Sequence, residues 1–194
     1  MVIAAPMNEQ ELRNMMYSLQ LEKNAFPSSI RYPRGPGTMV DWRTPFQEIE
    51  IGKGWLISDS IETDLAIIGI GHATNFAVEA AQKLKQLDIQ PAIYDLRFVK
   101  PIDEELLHEI CNRYSTVITV EDGCVQGGMG SAVLEFMADH NYHCEVIRLG
   151  IPDRFIDHGT QQELWRECGY DSEAIKDAAM NALKLGSKIK MNTH

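Results

Sequence analysis

The stretch Leu65-Ala66-Ile67-Ile68-Gly69-Ile70-Gly71-His72-Ala73 determines the fold that the sequence predicts. An apolar run of strand length ends in a glycine turn, and residues 74–87 then show the apolar spacing of a helix. Strand-like runs follow at 92–96, 116–120 and 145–149, separated by helical segments. Strands and helices that alternate in this way form mostly parallel sheets covered by helices, so the sequence predicts an α/β fold.

The chain upstream of this sheet contains a smaller unit. Its first residues are mainly apolar, and residues 27–32 form a second strand-like run. Between them, Asn8 and Glu11 have the spacing of a helix capping box. Residues 1–32 therefore predict a strand–helix–strand unit that is too small to bury a core alone. We expect its helix to bury an apolar face made of Leu12, Met15, Met16 and Leu19.

The segment between the two units is polar and rich in proline, and it predicts a linker. The strand-like run at 54–58 suits an antiparallel hairpin with 65–70. We therefore predict three parts: residues 1–35 as the end of one domain, residues 36–50 as a linker, and residues 51–194 as a second domain. Because the chain opens in mid-strand, we expect it to have been cut from a longer protein.

The composition suits a globular protein and argues against two classes of partner. The 194 residues are 44% hydrophobic and carry a formal net charge of −10. Such a surface repels nucleic acid and anionic membranes, and no apolar run approaches the roughly 20 residues of a membrane span. The four cysteines are widely spaced and form no C-x-x-C pair, which favours reduced thiols in a cytoplasmic protein.

The stretch Arg31-Tyr32-Pro33-Arg34-Gly35 places two guanidinium groups beside a proline and a glycine at the end of a strand. A guanidinium binds phosphate or carboxylate through a planar fork of donors. Arg31 and Arg34 are therefore candidates for anion binding. A surface or interdomain salt bridge is an equally good interpretation of these residues alone.

The turn Gly69-Ile70-Gly71 also resembles the start of a dinucleotide-binding fingerprint, and Asp95 lies where a ribose-binding acid would be. The third glycine position is Thr74, so the fingerprint is incomplete. Tight turns between a strand and a helix need glycine for steric reasons whether or not a ligand binds. We favour that interpretation over nicotinamide binding.

A second glycine cluster, Gly127-Gly128-Met129-Gly130, is predicted to open a helix. Its N–H groups could bind an anion, but the favoured interpretation is close packing of the helix on the sheet, or the lining of a subunit or domain interface. Glu121 and Asp122 precede the cluster at a strand end, where α/β proteins often place their sites. For this pair we favour an electrostatic role at the N-terminus of the following helix.

Three histidines are weaker candidates for a site. His140 and His143 have a ligand-like spacing, but no third metal ligand is evident, which favours surface residues. His158 lies in an irregular polar loop, where a structural role is favoured over a catalytic one. No Ser/His/Asp or Cys/His arrangement for nucleophilic catalysis is evident.

Several longer motifs resemble the C-terminal third of the 1-deoxy-D-xylulose-5-phosphate synthase family, thiamine-diphosphate enzymes of the transketolase superfamily. The resemblance runs nearly end to end, and some of the motifs also resemble β subunits of 2-oxoacid dehydrogenases. The first and last of them favour the synthase. The motifs are Pro27-Ser28-Ser29-Ile30-Arg31-Tyr32-Pro33-Arg34-Gly35, Ile51-Gly52-Lys53-Gly54, Asp95-Leu96-Arg97-Phe98-Val99-Lys100-Pro101-Ile102-Asp103, Val120-Glu121-Asp122 with Gly127-Gly128-Met129-Gly130-Ser131, and Gly150-Ile151-Pro152-Asp153-Arg154-Phe155-Ile156-Asp157-His158-Gly159-Thr160-Gln161.

The resemblance implies a transketolase C-terminal-domain-like sheet preceded by a βαβ remnant of the pyrimidine-binding domain. It implies an enzyme that condenses pyruvate with D-glyceraldehyde 3-phosphate with loss of CO2, uses thiamine diphosphate and Mg2+, and forms a homodimer. Matched on its motif, Arg34 would hold the phosphate of the aldehyde substrate, with Arg31 in support.

The family's glycine-rich diphosphate and metal motif, its proton-transferring histidines and its activating glutamate belong to N-terminal domains missing from this sequence. We therefore expect this chain alone to bind no cofactor or metal, and to contain no catalytic residue. The alternative is a β-subunit-like module of a 2-oxoacid dehydrogenase, or a non-catalytic domain for assembly or regulation.

Overall fold

The computed structural model describes residues 1–24 and 26–192, with side chains described up to residue 184. The described elements form two sheets and their flanking helices. In chain order the elements are β1 (Val2–Ala4), α1 (Glu9–Leu19), β2 (Ser28–Ile30), β3 (Trp55–Ser58), β4 (Leu65–Ile70), α2 (Ala73–Lys85), β5 (Ala92–Asp95), β6 (Phe98–Lys100), α3 (Glu104–Arg113), β7 (Thr116–Cys124), α4 (Met129–Asp139), β8 (Glu145–Ile151), α5 (Gln161–Cys168) and α6 (Ser172–Asn192).

The larger sheet has the strand order β3-β5-β4-β7-β8. Its last four strands run parallel, and β3 lies antiparallel to β5 at the edge. Helices α3 and α4 pack on one face of the sheet, and α2 and α6 pack on the other. All six residues of β4 are buried. Burial on both faces explains why its sequence is a continuous apolar run, and the predicted α/β fold is confirmed.

The predicted hairpin between residues 54–58 and 65–70 is wrong. Strand β3 pairs with β5, with Trp55 opposite Asp95 and Leu56 opposite Tyr94. Strand β4 has β5 on one side and β7 on the other, so neither of its edges is free for β3. The exposed side chains of Trp55 and Leu56 suit an edge strand, whereas the fully buried β4 suits the centre.

The smaller sheet has the order β2-β1-β6. The parallel pair β1–β2 and the intervening α1 confirm the predicted strand–helix–strand unit. Strand β6 was not predicted; it pairs antiparallel with β1, placing Ile3 opposite Lys100 and Ala4 opposite Phe98. The N-terminal unit therefore completes its sheet with a strand from the C-terminal part of the chain.

Helix α1 begins as predicted, but its capping box is only half formed. The Asn8 side chain accepts a hydrogen bond from the Glu11 N–H at 2.9 Å. The Glu11 carboxylate instead accepts two hydrogen bonds from the Arg97 guanidinium, at 2.9 and 3.0 Å. This ion pair joins α1 to the segment between β5 and β6. The predicted apolar face is wrong at Met16, which is 51% exposed, whereas Met15 is fully buried.

Residues 36–50 contain no helix or strand, and they run along α1. Two buried polar side chains of the helix hold this segment. Asn14 Oδ1 accepts a hydrogen bond from the Gln47 N–H at 3.2 Å, and Ser18 Oγ accepts one from the Ile49 N–H at 2.7 Å. The segment is thus attached to the N-terminal unit by its backbone. The predicted domain boundaries at 35 and 51 stay a prediction.

Candidate functional site

A cleft of about 540 Å3 opens between the two sheets, at the carboxyl ends of β4 and β7. From β4 the chain first turns to β5 on one side, and later crosses to β7 on the other. Such a topological switch point is where open α/β sheets usually bind ligands. The cleft is lined by Ile3, Ala4, Ala5, Ile30, Arg31, Tyr32, Pro33, Ile70, Gly71, His72, Val99, Glu121, Asp122, Gly127, Gly128 and Met129.

One wall of the cleft is the N-terminus of α4, which a carboxylate of the chain itself already occupies. The buried Glu121 side chain accepts hydrogen bonds from the Met129 N–H at 2.8 Å and the Gly130 N–H at 2.9 Å. A Cβ at Gly128 would lie only 2.2 Å from Glu121 Oε2, so glycine is required for this approach. The predicted role at the N-terminus of the following helix is confirmed for Glu121 and is wrong for Asp122, whose carboxylate is bonded to the Tyr170 hydroxyl instead. The packing interpretation of the glycine cluster is confirmed at Gly128.

A second wall of the cleft contains Asp122 and His72. His72 was not predicted as a site residue from the sequence. The Tyr170 hydroxyl donates to Asp122 Oδ1 at 2.7 Å, and His72 Nδ1 lies 3.5 Å from Asp122 Oδ2. Burial lowers the pKa of His72, while Asp122 opposes that shift and Arg31 adds to it. His72 Nε2 is buried without a partner in the described part of the chain, and its ring lies near Phe76. The imidazole is therefore held neutral at the base of the cleft.

Asp95, the candidate ribose-binding acid, is completely buried and faces away from solvent. Its Oδ1 accepts from the Arg97 N–H at 3.1 Å and from Thr74 Oγ1 at 3.3 Å. Gly69 is needed because a Cβ there would lie 2.5 Å from Thr74 Oγ1. The packing interpretation of this glycine turn is confirmed, since a ribose cannot reach a carboxylate that has no exposed surface.

Burial raises the pKa of Asp95 to about 7, although the Arg97 N–H and guanidinium oppose the shift. In the unfolded chain the carboxyl titrates near pH 4. Between about pH 4 and pH 7 the folded state keeps a proton that the unfolded state loses, so stability falls as the pH rises.

We expect Asp95→Asn to remove this loss of stability, because asparagine keeps an acceptor for the Arg97 N–H and carries no charge. The difference in free energy of unfolding between Asp95→Asn and the unchanged protein should grow, in favour of the variant, by on the order of 3 kcal/mol from acidic to slightly alkaline pH. Urea denaturation across this pH range measures the difference. Asp88→Asn, at an exposed aspartate, is the control. Parallel profiles for Asp95→Asn and the unchanged protein would contradict the expectation.

The two predicted phosphate-binding arginines lie at opposite ends of a short loop after β2. Arg31 lines the cleft, and its Nη2 donates to the Asp122 main-chain oxygen at 2.7 Å. Arg34 lies outside the cleft, and its side chain is exposed. Its main-chain oxygen accepts from Gln161 Nε2 at 2.9 Å. Among the residues described, the Arg34 guanidinium has no hydrogen bond or ion pair, so phosphate binding by either arginine stays a prediction.

The remaining histidine candidates and the cysteines form no metal site among the residues that the structure describes. His140 Nδ1 lies 2.9 Å from the Phe136 main-chain oxygen, and the imidazole of His158 is exposed. Within residues 1–24 and 26–192, no three or more His, Cys, Asp and Glu side chains are grouped as metal ligands would be. All four cysteines are free thiols. No helix in the described chain is both long and apolar enough to cross a bilayer.

The fold and the sequence together define the class of this protein. Residues 54–175 match the family described as "Transketolase, C-terminal domain", and the chain belongs to that family. Of the solved structures, a split-gene transketolase described as an inactive beta4 tetramer is 27% identical. It matches with a TM-score of 0.75, over 95% of this chain and 57% of its own. Transketolase from Campylobacter jejuni, at 15% identity and a TM-score of 0.62, shares the fold over 93% of this chain and 26% of its own.

More similar relatives are named 1-deoxy-D-xylulose-5-phosphate synthase. The protein from Cytophaga hutchinsonii is 58% identical over 181 residues, which cover 93% of this chain and 28% of the relative. The protein from Bacteroides fragilis is 46% identical over 198 residues, covering the whole of this chain and 30% of the relative. The chain thus spans less than a third of the length of these relatives. The resemblance inferred from the motifs is confirmed.

Proposed function

We propose that this chain is the C-terminal part of a 1-deoxy-D-xylulose-5-phosphate synthase. The full-length enzyme is a thiamine-diphosphate-dependent transferase that condenses pyruvate with D-glyceraldehyde 3-phosphate with loss of CO2. The 58% identity to a synthase over 93% of the chain is the observation that carries this proposal. The names of the relatives favour it over a 2-oxoacid dehydrogenase β subunit. The enzyme is proposed to be a cytoplasmic homodimer.

In this enzyme, Arg34 binds the phosphate of the aldehyde and Arg31 assists. Two observations support the assignment. The Arg34 guanidinium is exposed and has no protein partner among the described residues, so its donors are available to a ligand. The Arg31 guanidinium uses one of its five N–H donors for the Asp122 oxygen, which leaves further donors for a phosphate.

Thiamine diphosphate and Mg2+ are proposed to bind to the N-terminal domains of the full-length enzyme rather than to this chain. The cleft residues do not suit a metal ion. Glu121 is bonded to two N–H groups of α4, and Asp122 to the Tyr170 hydroxyl. The cofactor supplies the carbanion chemistry when it is bound. This chain contributes a substrate-binding loop and the domain that carries it.

The chain alone is expected to form no deoxyxylulose phosphate from pyruvate, D-glyceraldehyde 3-phosphate, Mg2+ and thiamine diphosphate, whereas the full-length protein should form it. Product formation and CO2 release are measured for both proteins at equal molar concentration. Turnover by the isolated chain would contradict the expected inactivity. An inactive full-length protein that is folded and loaded with cofactor would overturn the proposed function.

A second candidate is a non-catalytic module that assembles with a separate partner chain. The match to a split-gene transketolase described as an inactive beta4 tetramer favours it. Adding the N-terminal domains as a separate chain distinguishes this candidate from a single-chain synthase. Activity restored by mixing, together with a stable complex in size-exclusion chromatography, would support a two-chain enzyme. Activity only in the continuous chain would support the first proposal.

A further inference from the structure

We infer that Gln161 is a positioning residue for Arg34, through which the C-terminal part of the chain fixes the phosphate-binding loop. The inference rests on the proposed function, because it assumes that Arg34 binds the substrate's phosphate. It gives the transketolase C-terminal domain of this protein a specific task in substrate binding.

The loop Arg31–Gly35 is held at both ends by residues from beyond β6. At its start, Arg31 Nη2 donates to the Asp122 main-chain oxygen at 2.7 Å. At its end, Gln161 Nε2 donates to the Arg34 main-chain oxygen at 2.9 Å, across 127 positions of sequence. The Arg31 N–H also donates to the Ala4 oxygen at 2.9 Å, which continues the pairing of β2 with β1. The main chain that carries Arg34 is therefore fixed from both sides.

Gln161 is itself held in a defined place as the first residue of α5. The preceding Thr160 forms a complete capping box with Glu163. The Thr160 N–H donates to Glu163 Oε2 at 2.9 Å, and the Glu163 N–H donates to Thr160 Oγ1 at 3.4 Å. A capping box fixes the first turn of a helix. The Gln161 amide thus extends from a rigid point toward the loop.

Gly35 shows that the loop and Gln161 fit closely. A Cβ at Gly35 would lie 2.6 Å from Gln161 Oε1 and 3.1 Å from Nε2, too close for the amide to remain in place. Because the amide is the end of a flexible side chain, an alanine at Gly35 would shift it, and we expect this shift to weaken its hydrogen bond to the Arg34 main-chain oxygen. The two motifs that favour the synthase, residues 27–35 and 150–161, thus contact each other through Gly35 and Gln161.

The consequence for the reaction follows from the length of the arginine side chain. Binding a phosphate orders both the flexible arginine side chain and the loop that carries it, and a loop that is already fixed lowers this entropic cost. Releasing the Arg34 carbonyl lets the loop move, which weakens the hold on the phosphate. Pyruvate carries no phosphate, so its binding does not depend on this contact.

The test uses the full-length enzyme with Arg34→Ala, Gln161→Ala, the double variant and the control Gln162→Ala. Gln162 is the next residue of α5, is exposed, and its side chain forms no hydrogen bond within the described residues. We expect Gln161→Ala to raise the KM for D-glyceraldehyde 3-phosphate about three- to tenfold, the range of one lost hydrogen bond. The KM for pyruvate and the melting temperature should match those of Gln162→Ala. Gly35→Ala should reproduce the effect of Gln161→Ala.

The double variant separates a positioning role from an independent one. If Gln161 acts through the Arg34 side chain, Gln161→Ala adds little to the effect of Arg34→Ala, which removes that side chain; if the two effects multiply, the inference is overturned. A Gln161→Ala enzyme that behaves as Gln162→Ala also overturns it, and leaves the proposed function intact when Arg34→Ala still weakens aldehyde binding. No effect of Arg34→Ala would overturn the phosphate-binding role itself.

Discussion

Replacing Arg34 with alanine in the full-length enzyme is expected to raise the KM for D-glyceraldehyde 3-phosphate about 10- to 100-fold. This range corresponds to the loss of charge-assisted hydrogen bonds to a phosphate. The KM for pyruvate should stay within about twofold, because pyruvate offers no phosphate to the loop. The KM of Arg34→Lys for D-glyceraldehyde 3-phosphate should lie between those of the unchanged enzyme and Arg34→Ala, since lysine keeps the charge but loses the planar fork.

A substrate without the phosphate makes this prediction sharper. The unchanged enzyme and Arg34→Ala should have the same kcat/KM for D-glyceraldehyde. The preference for the phosphorylated aldehyde should therefore be much smaller in the variant. Steady-state kinetics with both aldehydes measures this preference as a ratio of kcat/KM values. Arg166→Ala, at a surface arginine with 84% of its side chain exposed, is the control. Equal changes in KM for pyruvate and the aldehyde would rule out a phosphate-specific role.

Replacing Glu121 with alanine is expected to lower the free energy of unfolding by about 3 kcal/mol. The carboxylate is 4% exposed and is the only hydrogen-bond partner described for the Met129 and Gly130 N–H groups outside α4. Its removal leaves two buried donors unsatisfied at the N-terminus of α4, where a negative charge also favours the helix. The substitution would also remove the hydrogen bonds by which strand β7 holds the first turn of α4.

Urea denaturation of this chain measures that loss directly. Glu121→Gln should be less destabilising than Glu121→Ala, because one oxygen can still accept while the new amide group faces a donor. Glu135→Ala, at an exposed position on the same helix, is the control and should change stability by less than about 0.5 kcal/mol. A loss below about 1 kcal/mol for Glu121→Ala would show that water satisfies the two N–H groups equally well.

The sequence predicted those elements whose cause is local. The cap at Asn8 depends on residues three positions apart, and the structure contains its hydrogen bond from the Glu11 N–H. The buried strand β4 was likewise evident from its continuous apolar run. Such patterns are complete within one element, so they can be recognised without knowing the rest of the fold.

Pairings over long distances in sequence could not be predicted in this way. Strand β6 has three residues and is defined by its partner β1, nearly a hundred positions away. The pairing of β3 with β5 depends on which strand occupies the centre of the sheet. The exposure of Met16 likewise reflects where the rest of the chain packs on α1, which its own spacing does not reveal.

The candidate site shows the same division. Arg31 and Arg34 stood out through their residue type and their turn, which are local features. His72 follows the glycine turn after β4, but its neighbour Asp122 lies on another strand, and only the parallel pairing of β4 with β7 brings them together. The contact between Gln161 and Arg34 likewise joins two motifs that are far apart in sequence.

The pairing of β1 with β6 has a consequence for the way the chain is made. Strand β1 is translated long before Phe98–Lys100, roughly 5 to 20 seconds earlier at ordinary rates of synthesis. During that interval one edge of β1 has no partner and is open to strands of other nascent chains. A message broken before the codon for Phe98 would leave the edge open for good, so we expect such truncated products to aggregate or be degraded.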